Sequence, residues 1–93
     1  MEEKEEQLIV AGNQAEKLLG TEIFTGTINA MVDGTFQAFA NSKPEEADVR
    51  ERTYHHYRAL VDIVSTLQQR VQIKDEIEAK YAEANSDNHT ESE

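Results

Sequence analysis

Of all the polar stretches in the chain, "ERTYHHYRAL" (51–60) comes nearest to a chemical constellation. His55 and His56 are adjacent, so on a helix they point about 100° apart and do not readily share one metal ion. Glu51, His55, Arg58 and Asp62 do fall along one helix face. A single imidazole among mixed charges reads as an i, i+4 surface ladder, each rung stabilising a helix by about 0.2–0.5 kcal/mol, rather than as a metal centre or an acid–base pair. No serine paired with a base, no glycine-rich loop and no carboxylate pair suggests nucleophilic catalysis or a phosphate cradle. The chain has no cysteine, which removes thiolate metal sites and disulfides. The sequence therefore predicts no catalytic residue, no metal ligand and no cofactor, and a protein that is not an enzyme.

Binding is the chemistry that remains. Arg50, Tyr54, Tyr57 and Arg58 form the aromatic–arginine grouping that is enriched at protein-binding hot spots, although such tyrosines also serve as core-edge aromatics. Arg50, Arg52 and Arg58 stand beside three local acids, a poor nucleic-acid patch. With 19 acidic against 9 basic residues the formal charge is −10, which repels phosphate backbones and anionic lipids and favours a basic partner. The same charge also simply keeps a small helical protein in solution. No apolar run approaches the ~20 residues that span a bilayer, and the acidic opening "MEEKEEQ" is unlike a signal peptide, so the expected location is cytoplasmic.

These residues must be positioned by helices. Residues 2–19 repeat Leu8, Ala11, Ala15 and Leu18 at spacings of three and four, with glutamates in the opening turns and Gly20 where a C-terminal cap is expected. Residues 21–40 carry Phe24, Ile28, Met31, Val32, Phe36 and Phe39 on one broad stripe, with Thr21 as N-cap. In "NSKPEE", Pro44 forces a turn, and Ser42 with Glu45 has the spacing of a capping box. From 45 to 82 there is neither Gly nor Pro. Tyr57, Leu60, Val64, Leu67 and Val71 follow a near-heptad rhythm, after which Lys74 takes the next position and the stripe moves to Ile73, Ile77 and Tyr81. A helix of roughly 38 residues is about 57 Å long and overhangs a partner of about 30 Å. Either the first helix folds back to cover the overhang, or another subunit does. Residues 83–93 read as a disordered acidic tail, leaving 1–82 as a single helical domain.

Two glycines inside the second helix need a reason, because each costs about 0.8–1 kcal/mol relative to alanine. Gly26, Ala30, Gly34 and Ala38 recur every four residues and form one ridge beside Phe24, Ile28 and Met31. Such a ridge lets a second helix backbone approach closely. The competing possibility is that the ridge is exposed and its glycines are tolerated. Close helix packing through these seven residues, within the chain or between copies of it, is the expectation.

A resemblance points the same way. Ala15, Glu16, Leu18, Leu19, Phe24, Ser42, Pro44, Arg50, Glu51, Tyr57, Ala59, Leu60 and Leu67 match a pattern of A-E-x-L-L, a hydrophobic helix, an S-x-P turn, an R-E pair, an aromatic and a leucine-rich helix. Over residues 15–72 the chain resembles short uncharacterised helical-hairpin proteins of tailed phages and prophages. The resemblance implies a helical hairpin of viral origin, near head-assembly genes, with a virion or assembly role and no activity to carry over. The expected fold is all-α: an antiparallel helical hairpin with an additional N-terminal helix, forming a homo-oligomer. The expected function is that of a phage structural or assembly component acting through helix–helix contacts, in the host cytoplasm or the virion. The alternative is an acidic viral inhibitor that occupies a basic site on a host nucleic-acid-handling or defence protein.

Overall fold

The structure is a computed structural model that describes the backbone of residues 1–91 and the side chains of residues 1–85. It is all-helical, with α1 at Glu3–Leu19, α2 at Glu22–Ala40 and α3 at Ala47–Glu91, and no strand among the described residues. The break between α1 and α2 falls at Gly20 and Thr21, as the sequence suggests. Its chemistry differs in two respects. No glycine has positive φ, so Gly20 is not a left-handed cap. Thr21 is the N-cap residue of α2 with extended angles, yet its hydroxyl makes no cap bond and donates instead to the Leu18 carbonyl at 2.8 Å.

The turn after α2 also departs from expectation. Ser42 does not cap α3. Its hydroxyl donates to the Phe39 carbonyl at 2.7 Å and closes α2. The carboxylate that reaches back belongs to Glu46, which accepts from the Lys43 N–H at 2.7 Å. That bond, with the Glu46 N–H donating to the Lys43 carbonyl at 2.8 Å, closes the turn before α3, which starts at Ala47, so Ser42 and Glu45 do not form the expected capping box. At its other end α3 continues to Glu91, where a disordered tail was expected from Glu83. No Gly or Pro between 83 and 91 breaks it. Residues 92 and 93 lie outside the described residues.

The chain divides into two compact units: Met1–Lys17 with Leu67–Glu93, and Leu18–Thr66. In the first unit, α1 lies along the second half of α3, so the overhang is covered from within the chain. Glu5 reaches Lys80 and Tyr81, while Gly12 and Glu16 reach Lys74. Partner numbers fall as α1 advances, so the two helices run in opposite directions. The contact face of α1 includes Glu5, Leu8, Gly12 and Ala15, with Gly12 buried and Ala15 only 3% exposed. Leu18, expected on that face, is exposed.

On α3 the rhythm does not move after Val71. It runs through Leu67, Val71, Lys74, Ile77 and Tyr81, with Lys74 6% exposed and Ile73 left outside. The seam tolerates a lysine because its ammonium is paired with the Glu16 carboxylate, and Asp75 lies 3.5 Å away on the same helix. At the far end Glu5 accepts from Lys80 Nζ at 2.9 Å and from the Tyr81 hydroxyl at 2.7 Å. These bonds, that from Lys80 foremost, pull the Glu5 carboxyl down to about 2. The Lys80 ammonium is correspondingly raised by Glu5, and Lys74 by its bond to Glu16, with burial opposing.

In the second unit, α2 contacts the first half of α3. Leu60 is buried and Tyr57, Val61 and Val64 are half-buried, as their spacing predicts. On α2 the residues turned inward are Phe24, Ile28, Val32 and Thr35, and none is fully buried. Met31, Phe36 and Phe39, expected in the core face, are more than half exposed. The apolar positions of α2 spread over an arc wider than one neighbouring helix can cover.

Candidate helix-contact surface

The second unit is built from a helix unusually poor in charge. Between Glu22 and Ala40 there is no lysine or arginine and only Glu22 and Asp33 are acidic. Its threonines add little polarity, because Thr25, Thr27 and Thr35 return their hydroxyls to the carbonyls of Thr21, Ile23 and Val32 at 3.2, 2.6 and 2.6 Å. What α2 presents outward is therefore largely hydrocarbon. Ile23 is 81% exposed and Phe36 58%.

Three hollows mark the surface of this unit. One is lined by Met31, Gly34 and Ala38 of α2 together with His56, Ala59 and Ile63 of α3. The second is aromatic, with Phe36 and Phe39 opposite Tyr54 and Tyr57. There the Phe36 ring meets Tyr57 edge-on, centroids 5.6 Å apart. A third, shallower hollow on α2 alone is formed by Ile23, Gly26, Thr27, Ala30 and Met31. The seven residues expected at an interface are thus divided. Phe24 and Ile28 turn toward the unit's own interior, while Gly26, Ala30, Gly34, Ala38 and Met31 line the open hollows.

Among the described residues, no neighbouring helix fills the space over Gly26 or Gly34. A methyl group added at Gly26 or Gly34 would meet no atom within 4 Å. The glycine that does admit a neighbouring helix is Gly12, where an added methyl would lie 2.7 Å from the Arg70 carbonyl oxygen and closer still to the Lys74 side chain. It is not among the glycines that the periodicity of the sequence singles out. The available signal was the alternative phase Glu5–Leu8–Gly12–Ala15 on α1, which places a glycine on the seam.

The four expected partner-binding residues have different local duties. Arg50 ties down the turn: its Nη1 donates to the Lys43 carbonyl at 2.7 Å and Ser42 Oγ at 3.3 Å, and its Nη2 to the Pro44 carbonyl at 3.1 Å. Tyr54 is exposed beside His55, ring centroids 5.8 Å apart. Tyr57 is half-buried under Phe36. Arg58 bonds Asp62 at 3.1 Å, and Glu51 stands 3.9 Å from His55, so the polar face of 51–62 forms an exposed ladder of i, i+4 pairs. His56 faces the first hollow rather than His55's side of the helix. Among the described residues no group of three His, Cys, Asp or Glu side chains could hold a metal ion, and no helix is long and apolar enough to cross a membrane. Comparison with protein-family models, curated proteins and solved structures returns no match for this chain.

Proposed function

We propose that this chain is a non-enzymatic, phage-type assembly component that acts through helix–helix contacts, with α2 and the first half of α3 working as an antiparallel hairpin. The observation that carries this reading is the uncovered apolar surface of the second unit, Ile23, Met31, Phe36 and Phe39 on one nearly uncharged helix. Exposed apolar patches of this kind mark interaction sites on small proteins. Charge distribution agrees. Leu18–Thr66 carries seven acidic and four basic residues, whereas the rest of the chain carries twelve and five. A like-charged copy, the partner we favour, meets least repulsion at the second unit.

The acidic remainder supports a second reading, a viral inhibitor whose carboxylates occupy a basic site on a host protein. Proteomics of purified particles separates the two. An assembly component is retained in the particle or in head precursors. An inhibitor is absent from both and instead holds one host protein in a complex that dissolves as salt is raised.

A further inference from the structure

We propose that Lys74 selects the partner of the α3 seam: it admits α1 and excludes a second α3. This inference concerns the first unit and is independent of the functional reading above. A lysine at one seam position is a known means of specifying which helices pair, at some cost in stability.

Lys74 is buried between Val71 and Ile77, at a position whose spacing calls for an apolar side chain. Helix α1 supplies the two things such a residue needs. Gly12 leaves the gap over which the base of the lysine side chain lies, and Glu16, one turn further on, supplies the carboxylate. Glu16 is itself 58% exposed, so the ion pair sits at the edge of water. The raised proton affinity of Lys74, caused chiefly by its bond to Glu16, fits a charged lysine there.

A second α3 has no glycine to leave that gap, and its carboxylates flank the seam and do not lie on it. All four glycines of the chain, Gly12, Gly20, Gly26 and Gly34, precede α3. Within the first unit the seam of α3 consists of Leu67, Val71, Lys74, Ile77 and Tyr81, and none carries a carboxylate. A parallel in-register pair would set two Lys74 ammoniums face to face. Other registers would set the ammonium against hydrocarbon across the seam, leaving it to the flanking acids of its own helix, Asp75 and Glu78, with no gap in the facing helix to let it lie flat. Without Lys74, the heptad rhythm would favour pairing of α3 with itself.

The test is Lys74→Met, which keeps a long flexible side chain and strands no buried charge. The light-scattering mass should rise to about twice that of the unaltered chain at equal concentration. A Val71→Cys reporter reads the same event in a chain that has no other cysteine. Under oxidation, intermolecular disulfides should form in the Lys74→Met background and not beside an intact Lys74. Gly12→Leu covers the case in which displacement of α1 alone is responsible: with Lys74 retained, mass should stay unchanged. An unchanged mass in Lys74→Met without cross-linking, or a doubled mass in Gly12→Leu alone, overturns the proposal.

Discussion

Two glycine sites show how differently the two units are built. At Gly12 a neighbouring helix occupies the space a side chain would fill, and ionic groups hold both ends of the contact: Glu16 with Lys74, and Glu5 with Lys80 and Tyr81. At Gly34 the space is open, and the hollow around it is mainly small or apolar, with Met31, Ala38, Ala59 and Ile63 beside the polar Thr35, Thr53 and His56. The first unit is closed on itself by specific polar partners. The second unit keeps hydrocarbon uncovered and has few charges. A glycine thus informs about packing only when the opposing element is known, because the same residue marks a filled contact in one place and a bare ridge in another.

The contrast can be broken most directly at Gly12. Gly12→Ala places a Cβ against a backbone carbonyl and a side-chain stem, neither of which moves freely. Overpacking of this kind costs about 1–3 kcal/mol, and the gain in helix propensity offsets only ~1 kcal/mol of it. Chemical denaturation should show lower stability. Gly34→Ala should move the other way in dilute solution, stabilising by roughly 0.8–1 kcal/mol, since its methyl meets nothing. Equal signs for the two substitutions would erase the distinction between the units.

Smaller effects sharpen it. Arg50→Ala removes three bonds to the turn before α3, mostly in water-exposed positions, and should cost about 1 kcal/mol in the denaturation midpoint. The Glu5 cluster predicts a pH dependence confined to the first unit. Because the carboxyl is depressed from 4.5 to about 2, its contribution is present above pH 4.5 and is lost as pH falls toward 2. The two lysines have raised values, so their contributions are complete below pH 10.5 and fade only as pH rises beyond it. Glu5→Gln should remove the acid-sensitive part from the melting curve while leaving Phe36–Tyr57 ring-current shifts unchanged.

Much of this architecture was legible in local pattern. The three helices, the break at Gly20 and the rhythm from Tyr57 to Val71 follow from periodicity, Pro44 and the lack of breakers in α3. The ladder of Glu51, His55, Arg58 and Asp62 followed from spacing alone. Features that depend on a distant residue were not legible. Lys74 looked like the end of a stripe because its counter-charge, Glu16, is 58 residues away. Gly12 does not stand out because two adjacent phases of α1 are both apolar, and only the opposing helix chooses between them. Ser42 and Glu45 match a capping motif, but the N–H and hydroxyl of Ser42 are both taken by the Phe39 carbonyl at the end of α2.

The claim that the second unit is an assembling surface meets its most direct test in solution mass across a concentration series. The chain should scatter as a multiple of 10.5 kDa, and Phe36→Glu in the second unit should return it to that value without loss of helicity. A mass of 10.5 kDa at every concentration, in the unaltered chain, would contradict self-assembly through the exposed face of α2.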